Sequence, residues 1–357
     1  MACGAGGIGR RGTVSVKDVS DMRILLTGGS GFIGSHAAEA MLGRGWEVWC
    51  AVRRTSSRRF LGDSRLHLLE TDFEDEAAME AALQGLRFDA VVHAAGATKC
   101  VRKSDFHRHN TLLTARLVSV LQRLALRDGA SECESRLPRF VFLSSLSAIN
   151  SIEGEALGKP TAYGASKREA EKIVEACRLP WVILRPTGVY GPRERDYLMM
   201  VQTLCHHIDF AAGFSPQHIT FVYVTDVVQA IMRAVEGKAE DVTGHIFTLS
   251  DGETYTSRDF SRLIAGELSA LKGSRHRVLR VTAPLFVLRA VCRCGDIFMR
   301  VTGKAVTLNN DKYNILSQRD WRCDISASRR LLGFRPEVKL AEGVRRTVRW
   351  YRQNGWI

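Results

Sequence analysis

The stretch Thr27-Gly28-Gly29-Ser30-Gly31-Phe32-Ile33-Gly34 constrains this chain more than any other. It joins an apolar run of strand type, Arg23–Thr27, to a helix-like run at 32–42. Its three spaced glycines have separate uses. Gly28 permits a tight turn, Gly31 lets backbone approach a bound group, and Gly34 lets the helix pack on the strand. The first helical turn then offers unpaired N–H groups and a positive dipole end, which suits phosphate. A glycine turn serving structure alone is the competing reading, but a strand before it and a helix after it favour a nucleotide. A second pattern, Gly4-x-Gly6-x-x-Gly9, follows only Met-Ala-Cys, so no strand can feed it and it reads as a decoy.

Beyond Arg23, short apolar runs alternate with amphipathic, helix-length segments. Strands are expected at 23–27, 47–52, 66–71, 90–93, 139–144 and 181–185, and helices at 32–42, 74–83, 110–126 and 165–176. Alternation with continuously apolar strands indicates an α/β protein: a Rossmann-type doubly wound parallel sheet, covered on both faces, with ligand at the strand carboxyl ends. After Arg185 the alternation fades, and late strands are expected at 219–224 and 245–249. The expected division is a flexible tail at 1–21, a nucleotide-binding domain at 22–185 with 219–250 returning to it, and a smaller C-terminal substrate-binding lobe from 186–218 and 251–357. The polar stretch 127–138 reads as a surface excursion.

Composition narrows the function classes. With 45% hydrophobic and 25% charged residues the chain is neither disordered nor a small disulfide scaffold. No apolar run approaches the ~20 residues of a membrane span. The nine cysteines form no CxxC pair, so reduced thiols, no metal site and a cytoplasmic location are expected. The net charge is +13, and its distribution is uneven. From Arg275 onward there are 18 Lys and Arg against 6 Asp and Glu, and before it 33 against 32. With no zinc-finger, RNP-type or basic-zipper pattern, nucleic acid is not expected. A solvated Arg-rich face and an anion, either substrate or surface, remain the two readings of that basic end.

Three further signals bear on chemistry. The second strand ends in Val52-Arg53-Arg54-Thr55-Ser56, where an NAD-preferring site would carry an acid for the ribose hydroxyls. Arg53 suits a 2′-phosphate, so NADP(H) is favoured over NAD(H), against the alternative of solvated surface arginines. In Tyr163-Gly-Ala-Ser-Lys167 the phenol and ammonium lie four residues apart on one helix face, and the ammonium favours phenolate. Phe142-Leu-Ser144-Ser145 ends a strand, and a hydroxyl there can hold a substrate oxygen against the phenol.

In this order the residues resemble the extended, epimerase/dehydratase-like branch of the short-chain dehydrogenase/reductase superfamily, from Arg23 to Ile357. The resemblance implies that Gly28, Ser30, Gly31, Phe32, Ile33 and Gly34 form the cofactor turn, and that Asp72-Phe73 contact adenine. It implies that Ala94, Ala95 and Gly96, after His93, lie beneath the nicotinamide ribose, and that Pro186 and Val189 belong to a loop over the nicotinamide. Asn110 matches a helix Asn of the proton relay, and Ser145, Tyr163 and Lys167 match the catalytic residues, with Lys167 also binding the ribose. The late segment Phe221-Val-Tyr-Val-Thr-Asp226-Val and the ending Leu332-Gly-Phe-Arg-Pro336 also look like this branch. The chain departs from the sugar-nucleotide epimerases at Arg53-Arg54 and at Leu146-Ser-Ala-Ile-Asn150. The Arg pattern is similar to dihydroflavonol-reductase-like and cinnamoyl-reductase-like members.

The resulting expectation is an NADP(H)-dependent oxidoreductase interconverting a carbonyl and an alcohol on a small molecule, with Tyr163 as general acid and base. An epimerase or dehydratase of nucleoside-diphosphate sugars with tightly held NAD, and a non-catalytic nucleotide sensor or scaffold, are the alternatives. Met199, Met200, Phe210 and Phe214 are read as core before pocket, and His206 and His207 as surface or core. A homodimer formed through two helices from each subunit is implied by the resemblance.

Overall fold

The computed structural model describes residues 21–127, 137–149, 151–152, 155–156, 161–303, 306 and 308–357. The tail at 1–20, its Gly4–Gly9 decoy and most of the excursion, 128–136, lie outside the described residues.

Seven strands build the central sheet: β1 Arg23–Thr27, β2 Glu47–Val52, β3 His67–Glu70, β4 Ala90–His93, β5 Arg139–Leu143, β6 Trp181–Pro186 and β7 His245–Leu249. Their order is β7-β6-β5-β4-β1-β2-β3, every neighbouring pair parallel. The chain winds outward from β1 in both directions, as right-handed crossovers require, and the reversal between β1 and β4 opens a crevice at their carboxyl ends. The helices that cover the faces include α1 Phe32–Gly43, α2 Glu76–Leu83, α3 Leu113–Arg127, α4 Ala162–Glu175 and α5 Val224–Glu236. One face packs β1 and β2 residues such as Ile24 and Val48 against α1 and α5 through Met41 and Ile231. The other packs Leu25, Val91 and Phe140 against α2, α3 and α4 through Met79, Leu117 and Val174.

The expected strands match these to within a residue at each end. The expected strand at 219–224 is instead two short pieces, His218–Ile219 and Phe221–Tyr223, because α5 begins at Val224. Phe221–Tyr223 pairs with Gly188–Tyr190 rather than with the main sheet, and β7 takes the sheet edge beside β6. A separate apolar cluster draws on segments expected in the C-terminal lobe, where Tyr190 and Phe260, with Phe221 from the expected return segment, pack against Val344, Val348 and Tyr351. Leu332 and Phe334, from the segment expected in that lobe, pack in the core of the sheet instead.

Candidate active site

The glycine turn follows β1 as expected, and its geometry gives each glycine a reason. Gly28 has φ +76°, and a Cβ there would lie 2.5 Å from the backbone of Ala94 and Ala95. A Cβ at Gly34 would lie 2.2 Å from the Gly28 carbonyl oxygen, so only glycine lets α1 start this close to the turn. Gly31 caps α1 without a side-chain hydrogen bond to the first turn, whose N–H groups face the carboxyl edge. The Phe32 and Ile33 side chains pack between the sheet and the lobe, so these two contribute backbone to the turn.

Parallel pairing aligns the next loops along the same edge, since Thr27 is beside Ala51 and Val52 beside Glu70. Arg53 and Arg54 are exposed directly after β2, and neither guanidinium has an ion-pair partner among the described residues. Asp72 is exposed after β3 and accepts from the Glu74 N–H at 2.9 Å. Phe73 turns its ring into the core among Met79 and Leu83, which leaves its backbone, not its side chain, for a ligand.

Beyond β4, Ala94, Ala95 and Gly96 run against the glycine turn. A Cβ at Gly96 would lie 2.8 Å from Asn110 Oδ1 and 3.3 Å from Lys167 Nζ, so this loop links nucleotide turn and catalytic candidates. Asn110 is buried in a π-helical turn, His107–Leu112, immediately before α3. Its amide accepts from Ala97 N at 2.7 Å and donates to Ala97 O at 3.1 Å and to Ser166 Oγ at 2.9 Å. A single π turn of this kind re-aims a side chain within a helix and is frequent at functional sites.

Tyr163 and Lys167 lie on the first turns of α4, whose N-terminus is capped by Thr161 Oγ1 accepting from Gly164 N. Ser145, two residues past the end of β5, lies close enough to the Tyr163 phenol to lower its pKa. Lys167 Nζ donates to Leu143 O at 2.8 Å and sits 4.8 Å from the Phe142 ring centre. Burial lowers the Lys167 pKa to about 8, with Glu171 opposing. Burial also raises the Tyr163 phenol above its ordinary range, opposed by the Ser145 hydroxyl and reinforced by the negative charge of Asp196. The expectation that Lys167 would pull this phenol down is not met: burial dominates, and Ser145, not Lys167, is the group that lowers it.

Pro186, at the end of β6, lines a cleft of about 810 Å³ that also touches Ser145. Val189 packs between the two cores and does not line it. Met200, Phe210 and Phe214 line the cleft; Phe210 and Phe214 are exposed, which corrects their reading as core, whereas Met200 also packs on an apolar cluster. Met199 is exposed without lining it, and His206 and His207 lie at the surface. The apolar wall is completed by Phe221, Phe260 and Trp321, and Arg258, Arg280 and Lys312 add cations. Among the described residues no group of three His, Cys, Asp or Glu could hold a metal ion, and no helix is long and apolar enough to cross a membrane.

Sequence reasoning missed several members. Glu171 is fully buried one turn after Lys167 and accepts from Ser144 Oγ at 2.6 Å and from Arg185 at 2.7 and 2.6 Å. The signal was available, because Lys167, Glu171 and Val174 share the buried face of α4 by helical spacing. Lys312 and Arg280 left no comparable signal, since both reach the cleft from distant C-terminal segments.

A doubly wound parallel sheet with this glycine turn on its carboxyl edge is a Rossmann-type fold. A model of the NAD dependent epimerase/dehydratase family matches residues 24–250, and the chain belongs to that family. It is 23% identical to the ceramide reductase of Caulobacter vibrioides, over 94% of this chain and 96% of that protein. It is 24% identical to the UDP-glucose 4-epimerase of Vibrio cholerae, over 92% of this chain and 95% of that one. Among solved structures, the dTDP-glucose 4,6-dehydratase of Bacillus anthracis, in complex with NAD, superposes with a TM-score of 0.69 at 16% identity. That match covers 93% of this chain and 97% of the other.

Proposed function

We propose that this enzyme is an NADP(H)-dependent oxidoreductase that interconverts a carbonyl and an alcohol, with Tyr163 as general acid and base. The observation that carries this reading is that Tyr163, beside the cleft residue Ser145, and Lys167, beside Gly96, stand four residues apart on the first turns of α4. The turn fits a dinucleotide, because side chains at Gly28 or Gly34 would fill the space the backbone needs. The exposed Arg53 guanidinium after β2, with no ion-pair partner among the described residues and no acid at that strand end, supports a 2′-phosphate.

When bound, the nicotinamide supplies the hydride that a carbonyl carbon accepts, or removes it from an alcohol. The Ser145 hydroxyl holds the substrate oxygen against the phenol. Tyr163, whose raised pKa keeps it protonated at neutral pH, donates its proton to the oxygen as negative charge develops there. Lys167, charged below about pH 8, stabilises the phenolate that remains. In the reverse direction the phenolate takes the alcohol proton. The cleft walls of Met200, Phe210 and Phe214 favour a substrate with an apolar body, and the reductase activity named for the Caulobacter relative supports this direction.

Tyr163→Phe is expected to lower NADPH-linked carbonyl reduction by about 100-fold or more while NADPH affinity stays nearly unchanged. Unaltered turnover would overturn the mechanism. A second reading is a nucleoside-diphosphate-sugar epimerase or dehydratase. It is favoured by the family match, by the Vibrio and Bacillus relatives and by Arg258 and Lys312 in the cleft, which suit a diphosphate. NAD retained through purification, with no NADPH preference on titration, would select that reading.

A further inference from the structure

The helix Leu285–Thr302 is buried on one narrow side only, through Leu288, Cys292 and Met299. At about 3.6 residues per turn, Phe286, Ile297, Val301 and Phe298 fall together on its outward side. They are 76%, 60%, 79% and 49% exposed. Arg289, Arg293 and Arg300, all exposed, line the adjoining edge of the same helix, which carries only one acid, Asp296. Asp296 is engaged with Asn310. An outward stripe of large apolar side chains bordered by arginines is the pattern of a helix that lies in a membrane interface, where apolar groups enter the acyl boundary and cations meet lipid phosphates.

We infer that this helix docks the protein on an anionic phospholipid bilayer. Charge complementarity selects that occupant. A second copy packed antiparallel would bring the same three arginines against the first set, whereas anionic headgroups neutralise them. Nucleic acid would match the arginines but not the apolar stripe. A polar cavity of about 440 Å³ lined by Lys103, Arg289 and Arg293 opens along the basic edge and suits a headgroup phosphate. The apolar surface also continues to the mouth of the cleft. Phe214 lines the cleft and is 79% exposed, and a Cβ on its neighbour Gly213 would lie 3.2 Å from Leu285 at the helix start. Phe210, also at the cleft, is beside the exposed Val281 on the strand that leads into the helix. The docked surface therefore faces the cleft mouth toward the lipid. The docking holds whichever reaction the cleft performs.

The test is sedimentation of the full chain with vesicles of phosphatidylcholine alone or mixed with phosphatidylglycerol. Pelleting with the mixed vesicles, weakened by salt, is expected. Phe286→Ser with Ile297→Ser, and separately Arg289→Glu with Arg293→Glu, should each weaken it by about tenfold or more. Dinucleotide affinity and melting temperature should stay at wild-type values in both variants, which separates lost docking from lost folding. Absence of pelleting with mixed vesicles would overturn the inference. So would a wild-type dimer that the Phe286→Ser, Ile297→Ser variant converts to monomer, because a second copy would then cover the stripe.

Discussion

His93 ends β4 fully buried, with Nδ1 2.7 Å from Thr27 Oγ1 and Nε2 3.0 Å from Thr114 Oγ1. Its ring ties the strand before the glycine turn to the helix that follows Asn110. Burial and the Lys167 charge lower its pKa to about 3. Between that value and the ordinary histidine value the unfolded chain binds a proton that the folded chain refuses. Stability from this residue is therefore present above about pH 6.5 and is lost as pH falls toward 3. Urea unfolding at pH 7 and pH 5 should show a smaller acid loss in His93→Gln than in the wild type. Glu171, one turn after Lys167 on α4, carries the charge opposite to that of Lys167. Glu171→Gln leaves the mostly buried Arg185 guanidinium without its carboxylate and should cost about 3 kcal/mol on chemical denaturation. Neither role could be read from residue type alone. Tyr163 and Lys167 stood out only because they follow the glycine turn and Ser145 in order, their spacing alone being weak, whereas a histidine ending a strand and a glutamate in a helix fit many blander uses.

The glycine turn was the most legible element, yet one of its members acquires its reason only from the neighbouring strand. A Cβ at Gly29 would lie 2.1 Å from Cys50 Sγ on β2. Gly29→Ala should destabilise the protein by about 2 kcal/mol, and Cys50→Ala should recover part of that loss in the double variant, as a thermodynamic cycle would measure. The π turn carrying Asn110 was not legible, and a plain helix from 110 to 126 was expected. Its register is set by the Asn110 amide gripping the Ala97 backbone, a partner outside the helix. The start of α5 at Val224 was hidden for a related reason. The run 219–224 is apolar and β-branched, and local preference could not tell a strand from the first residues of a buried helix.

At the scale of the molecule, the C-terminal segment is fastened to the sheet by buried polar contacts. Asp226, on the first turn of α5, accepts from Glu337 N at 3.2 Å and Val338 N at 3.1 Å. Ser328 Oγ donates to Thr248 O at 2.6 Å, and Tyr351 OH to Glu194 O at 2.7 Å. Asp226→Ala strands those two N–H groups and should lower stability by about 2 kcal/mol. Loss of secondary structure and loss of dinucleotide binding should still coincide on denaturation, because Leu332 and Phe334 share one core with the sheet. The sequence alone determined the doubly wound sheet and the carboxyl-edge turn, since alternation, glycine spacing and strand-end residues are local patterns with few physical solutions. Only the tertiary structure decided which apolar residues line the cleft. Phe210, Phe221, Phe260 and Trp321 come from separate segments, and nothing in any one of them distinguishes a core aromatic from a pocket wall. The same holds for the helix at 285–302, whose hydrophobic face reads as core until the fold leaves it outside.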